Sequence, residues 1–146
     1  MTAAHIVLGS ALIAVNALAG LLGGIHWWRG RTSRIFWPLL RAGQVLVATE
    51  ALDGAILVLQ GDELPRLHLI YGLVPLAVSF VAEQLRLVSA DQILENRDLE
   101  GRADVERLSA DEQAALVHAI LRREMGVMAA SAGVVALLGV RAAGLL

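Results

Sequence analysis

Four stretches of the sequence, at about residues 4–26, 36–59, 66–88 and 124–146, are apolar with few charges. Each is long enough for an α-helix to cross the hydrocarbon core of a bilayer, which takes about 20 residues. In lipid a helix satisfies its own backbone N–H and C=O groups, whereas an open strand does not. The sequence therefore predicts an all-α membrane protein: an antiparallel four-helix transmembrane bundle forming a single domain over residues 1–146. Composition agrees, since 57% of the residues are hydrophobic and 18% are charged, with a mean hydropathy of +0.65. Soluble domains carry about 25% charged residues.

The first stretch follows Met1-Thr2-Ala3-Ala4-His5, which has no Lys or Arg, and ends in Trp27-Trp28-Arg29. No small-residue cleavage site follows it, so it reads as a retained span. All 12 basic residues are arginine. Arg29, Arg31 and Arg34 lie in the first link, and Arg97, Arg102 and Arg107 in the third (about 89–122), flanked by Arg86, Arg122 and Arg123. The second link, Gly61-Asp62-Glu63-Leu64-Pro65-Arg66, holds one. The positive-inside rule then places links one and three in the cytoplasm and both termini outside, in a plasma membrane. Trp27, Trp28 and Trp37 fall where an aromatic belt would mark the cytoplasmic face. Within the third link Asn96 to Gly101 reads as a break. Ser109-x-x-Glu112 has the spacing of a capping box, which starts a helix at about 110 that continues into span four as a cytoplasmic helical elbow.

Several chemistries are excluded. The chain has no cysteine, so it can form neither disulfides nor thiolate metal sites. With a net charge of −2 and no basic patch outside short links, it lacks the footprint of a nucleic-acid binder. No serine–histidine pairing, phosphate loop or zinc motif marks a hydrolase or transferase.

Ionisable residues inside spans are costly and face the bundle interior, so they are the candidate sites. At 100° per residue His68, Tyr71, Gly72, Pro75, Ser79, Ala82, Glu83 and Arg86 share one face of span three, opposite Leu69, Leu73, Leu76, Phe80 and Leu87. Pro75 cannot donate to the Tyr71 carbonyl and favours a kink there. Glu50 and Asp53 share a face of span two. A short link makes spans two and three antiparallel neighbours, which yields a candidate ligand or proton site of Glu50, Asp53, His68 and Tyr71. Nearer the cytoplasm Arg41 and Glu83 form a structural polar pair, with Gln44 and Arg86 beside it. Spans one and four read as packing helices through Gly20-x-x-x-Gly24, Gly126-x-x-x-Ala130 and Ala129-x-x-x-Gly133. Asn16 is placed to bond to the polar stripe.

The stretch from His68 to Pro75, followed by Ala82-Glu83-Gln84-Leu85-Arg86, resembles uncharacterised small four-span integral membrane proteins of actinobacterial type. The resemblance covers mainly spans two and three and implies no activity. Function is therefore read from the chemistry of the residues. Small size, little soluble mass and small-residue faces fit an accessory or structural subunit of a larger membrane complex, of respiratory or redox kind, in contact with lipid and with partner subunits or its own copies. His5 with His68 near one face, or His26 with His118 near the other, offers axial ligands for a b-type haem, or the site takes a quinone. Buried carboxylates beside His68 and Tyr71 also fit a proton-linked small transporter acting as a dimer. Two carboxylates and an imidazole suit a divalent cation, although the Glu-x-x-His pairs of di-iron bundles are missing.

Overall fold

The computed structural model describes residues 3–61 and 65–145. Asp62, Glu63 and Leu64 of the second link, Met1 and Thr2 of the leading segment, and Leu146 at the end of span four lie outside these residues. The described chain folds as α1 (Ala3–Trp28), α2 (Phe36–Leu59), α3 (Arg66–Glu95), a short α4 (Arg102–Arg107) and α5 (Ala110–Ala142). Four of these, α1, α2, α3 and α5, are long and apolar enough to cross a membrane. They pack as an antiparallel bundle, as the apolar stretches require.

The start and stop signals explain the boundaries. Ser109 accepts the Glu112 N–H, and the Glu112 carboxylate accepts the Ser109 N–H at 2.8 Å, so the capping box is complete. From there α5 runs 33 residues without interruption, about 50 Å at 1.5 Å per residue. It ends at Ala142, earlier than the sequence predicts. Gly144 adopts φ +72°, and the Leu145 N–H turns back to the Val140 carbonyl, which is how a left-handed residue closes a helix. Helix α3 continues to Glu95, past the predicted limit at 88, and runs through the buried Pro75. Both α3 and α5 are longer than the hydrocarbon thickness of about 30 Å, and their additional turns lie at the end of the bundle that carries the first and third links.

Packing is uneven. Helix α5 lies along both α1 and α3, and α1 along α2, while α2 and α3 meet only sparingly. The tightest crossing joins α1 to α5: a Cβ added at Gly20 would sit 3.0 Å from the Gly133 backbone nitrogen and 3.3 Å from the Ala129 carbonyl oxygen. Such close backbone approach is how membrane helices gain packing energy without a hydrophobic driving force between them. A Cβ added at Gly24 would meet nothing within 4 Å, and Ala130 is exposed. The contact therefore follows Gly20, Gly23, Ala129 and Gly133, not the full predicted motifs. Gly126 receives the Trp27 indole instead.

Phe36, fully buried, fills the space left by Gly23 and anchors a core with Ala19, Leu40, Ala82, Met125, Met128, Ala129 and Ala132. Leu12, Val47 and Val135 form a second core toward the terminal end. Along α3, Pro75 and Ala82 are buried and Glu83 and Arg86 partly so, whereas Leu69, Leu73, Leu76, Phe80 and Leu87 are exposed. The polar stripe thus turns inward and the apolar face outward. Gly72 is the exception and is exposed. Asn16 departs from expectation: its amide donates to Leu12 O at 2.9 Å and to Gly43 O on α2 at 3.4 Å. Gly43 has no side chain to block that approach, so Asn16 joins α1 to α2, not to the α3 stripe.

Candidate metal centre

A 3-and-4 spacing of His5, Gly9, Leu12, Asn16, Ala19 and Gly23 lays one stripe along α1, and α2 packs against it. The facing stripe on α2 includes Gly43, Val47, Glu50 and Gly54. At the terminal end of this seam three donors converge. His5 Nδ1 lies 2.9 Å from Asp53 Oδ2 and 3.3 Å from Glu50 Oε1. The His5 side chain is 6% exposed, Glu50 15% and Asp53 27%. Gly9 makes the room, because a Cβ there would lie 3.0 Å from Glu50 Oε1.

One imidazole nitrogen carries at most one proton, and a hydrogen bond needs near-linear alignment. His5 Nδ1 can therefore donate well to only one of the two carboxylates. Among the described residues Glu50 Oε2 is the one buried side-chain oxygen with no hydrogen-bond partner. An unmet buried acceptor costs about 1–3 kcal/mol, and more when charged. The donor atoms of His5, Glu50 and Asp53 all lie within 4.8 Å of one another. Their two short separations match the edges of a coordination shell with metal–ligand bonds of about 2.0–2.2 Å. Two carboxylates and one imidazole form a donor set for a divalent ion.

The other sequence-predicted residues are distributed around this cluster. His68 stands next to it, its ring centre 5.7 Å from that of His5 at an interplanar angle of 52°. Its Nδ1 lies 3.1 Å from the Ala142 carbonyl oxygen. A carbonyl only accepts, so Nδ1 bears the hydrogen, which in the neutral ring leaves the lone pair on Nε2. Tyr71 is turned toward α5, where the Arg141 guanidinium lies 5.6 Å from its ring centre. The layer expected between α2 and α3 is therefore organised differently, because α2 leans on α1 and α3 on α5. His26 Nδ1 donates to Leu22 O at 2.9 Å, and His118 Nε2 donates to Gly30 O at 3.0 Å. These two imidazoles serve backbone carbonyls at the far end of the bundle. A haem between His5 and His68 would need an open slot and an axial nitrogen turned into it; His5 is instead enclosed, with Nδ1 directed at the carboxylates.

The second polar group closes the far half of the α2–α3 seam. Glu83 Oε1 accepts from Arg41 and, at 2.9 Å, from Gln44 Nε2; Oε2 accepts from Arg86 Nε at 2.9 Å. Arg86 Nη1 also lies 3.5 Å from Glu124 Oε2. With both oxygens engaged, Glu83 is a structural tie. Sequence reasoning alone misses Glu124 and Arg141. The signal for Glu124 is its position as the first acid of span four, at the depth of Arg86. No protein-family model, curated protein or solved structure gives a significant match to this chain.

Proposed function

We propose that this multi-pass protein is a plasma-membrane component that holds a divalent cation at the outer end of its bundle, between α1 and α2. The observation that carries this reading is the convergence of His5 Nδ1, Asp53 Oδ2 and Glu50 Oε1, with Glu50 Oε2 buried and unpartnered. With the imidazole neutral, the two carboxylates carry a charge that a divalent ion offsets. Arginine placement supports the orientation: the arginine-rich first and third links on the cytoplasmic side, and the site and both termini outside. The test is metal content after chelator treatment and equilibrium dialysis against Mg2+, Ca2+, Mn2+ and Zn2+ in turn. About one equivalent of at least one ion is expected, lost in both Glu50→Gln and Asp53→Asn. Absence of stoichiometric binding in the wild type sinks the reading.

A second role is compatible with the first and is favoured by the sparse α2–α3 seam, where Arg41 remains 48% exposed on a spanning helix. Arg41 already pairs with Glu83, and the part of its guanidinium that stays exposed is where a neighbouring subunit would add a further acceptor. In this role the protein is an accessory subunit of a larger assembly. Native electrophoresis in mild detergent then shows it well above the monomer size; consistent migration as a monomer contradicts this.

A further inference from the structure

We infer that His68 is a fourth ligand of the same centre, which makes the ion a transition metal of the Zn2+ class, not Mg2+ or Ca2+. The inference rests on the cation site proposed above and adds its ligand number and metal class. Three observations lead to it.

First, the His68 Nδ1–H is committed to the Ala142 carbonyl at 3.1 Å. Metal-bound histidines almost always donate their other N–H to a carbonyl, carboxylate or water, which fixes the tautomer and the ring. His68 already has that arrangement, with the ligating lone pair on Nε2. Second, two imidazoles bound to one ion at about 2.0–2.1 Å have ring centres roughly 5 to 6 Å apart. The His5 and His68 ring centres are 5.7 Å apart. Third, His68 lies in the first turn of α3, close to the link that joins α2 to α3, and these two helices meet only sparingly. His68 does not share the 4.8 Å grouping of the three donors, so ligation requires this turn to shift toward them while Nδ1 keeps its hydrogen bond to Ala142 O.

Two imidazoles and two carboxylates complete a four-coordinate shell. Imidazole favours Zn2+, Co2+ or Fe2+ over Mg2+ and Ca2+, which prefer all-oxygen shells. Ligation by His68 also links every spanning helix at one end: α1 through His5, α2 through Glu50 and Asp53, α3 through His68, and α5 through the Ala142 carbonyl.

The experiment uses the full chain in detergent, freed of metal and titrated with Co2+, with Zn2+ affinity measured by chelator competition. The expected wild-type spectrum is the intense visible absorption of four-coordinate Co2+. His68→Ala and His68→Gln are expected to lose that intensity and weaken Zn2+ binding about 10- to 100-fold. His118→Ala, at the opposite end, is expected to leave both readouts unchanged. An unaltered spectrum and affinity in both His68 variants overturns the fourth ligand while leaving the cation site standing. A wild-type chain that takes up neither Co2+ nor Zn2+, but binds Mg2+ or Ca2+ through Glu50 and Asp53, overturns both the fourth ligand and the transition-metal assignment while leaving the cation site standing. Failure to bind any of the four removes both readings.

Discussion

Gly20 and Gly24 form one sequence motif but occupy different environments, and substituting each with alanine separates motif from contact. At position 20 the new Cβ would lie 3.0 Å from Gly133 N, 3.1 Å from Gly133 Cα and 3.3 Å from Ala129 O. These are backbone atoms of α5 and cannot rotate aside, so α1 and α5 must move apart along their most extensive seam. At position 24 a Cβ meets nothing within 4 Å. Replacing a mid-helix glycine with alanine gains about 0.5–1 kcal/mol of backbone entropy at either site. That gain cancels in the comparison and leaves the cost of overpacking, about 1–3 kcal/mol. Gly20→Ala is therefore expected to be less stable than Gly24→Ala by that amount, roughly a 5- to 150-fold difference in the unfolding constant. Reversible unfolding in mixed micelles with rising SDS measures it. Tryptophan fluorescence is a suitable probe because the Trp27 indole rests on Gly126 across the same seam. Equal effects at the two positions, or a larger loss at Gly24, would refute the packing derived above.

Gly9→Ala is expected to displace the Glu50 carboxylate from the α1–α2 seam, since the new methyl would stand 3.0 Å from Oε1. Zn2+ affinity then falls about tenfold while the SDS midpoint moves little, because the far end of a flexible side chain can yield. Outside the membrane, the Ser109 hydroxyl and N–H donate to Glu112 and hold its carboxyl below the ordinary 4.5. A carboxyl whose folded value is lowered stabilises the fold above the unfolded value and loses that contribution as pH drops through the folded one. The protection of first-turn amides of α5, measured relative to their intrinsic exchange rates, should therefore be high at neutral pH and fall only on acidification below 4.5. In Ser109→Ala it should be low throughout; protection that persists in that variant contradicts the capping role.

The spans and the capping box are readable because each rests on a local rule: length and apolarity for the spans, and a Ser-x-x-Glu spacing for the cap. Glu50 and Asp53 also stand out, as acids one turn apart in an apolar helix. What the sequence reads differently is their neighbour. A short link makes α3 the natural partner of α2, yet His5 on α1 meets the two carboxylates. The reason is physical. Helices in lipid are apolar on almost every side, so burial alone does not fix their rotation; small and polar residues decide which faces meet. The information lies in the stripe of His5, Gly9, Asn16 and Gly23, which matches Gly43, Glu50 and Gly54 on α2. A histidine this near the start of the chain looks interfacial until that stripe is traced. The same rule explains Asn16, whose amide bonds to Gly43 O because no side chain stands between them.

The close approach of Gly20 to Gly133 has a consequence for biosynthesis. These residues belong to α1 and α5, the first and last of the described helices, so their contact cannot form while the chain is still short. During synthesis α1 and α2 can pair early through Asn16 and Gly43. Helix α3, with its Glu83 tie but little other purchase on α2, must wait for α5 to arrive before it is held on its broad side. Structure built on contacts between distant segments forms late and leaves incomplete intermediates exposed. A chain stalled before α5 would carry Phe36 and the inward face of α3 without their covering helix, and those surfaces are what membrane quality control would meet first.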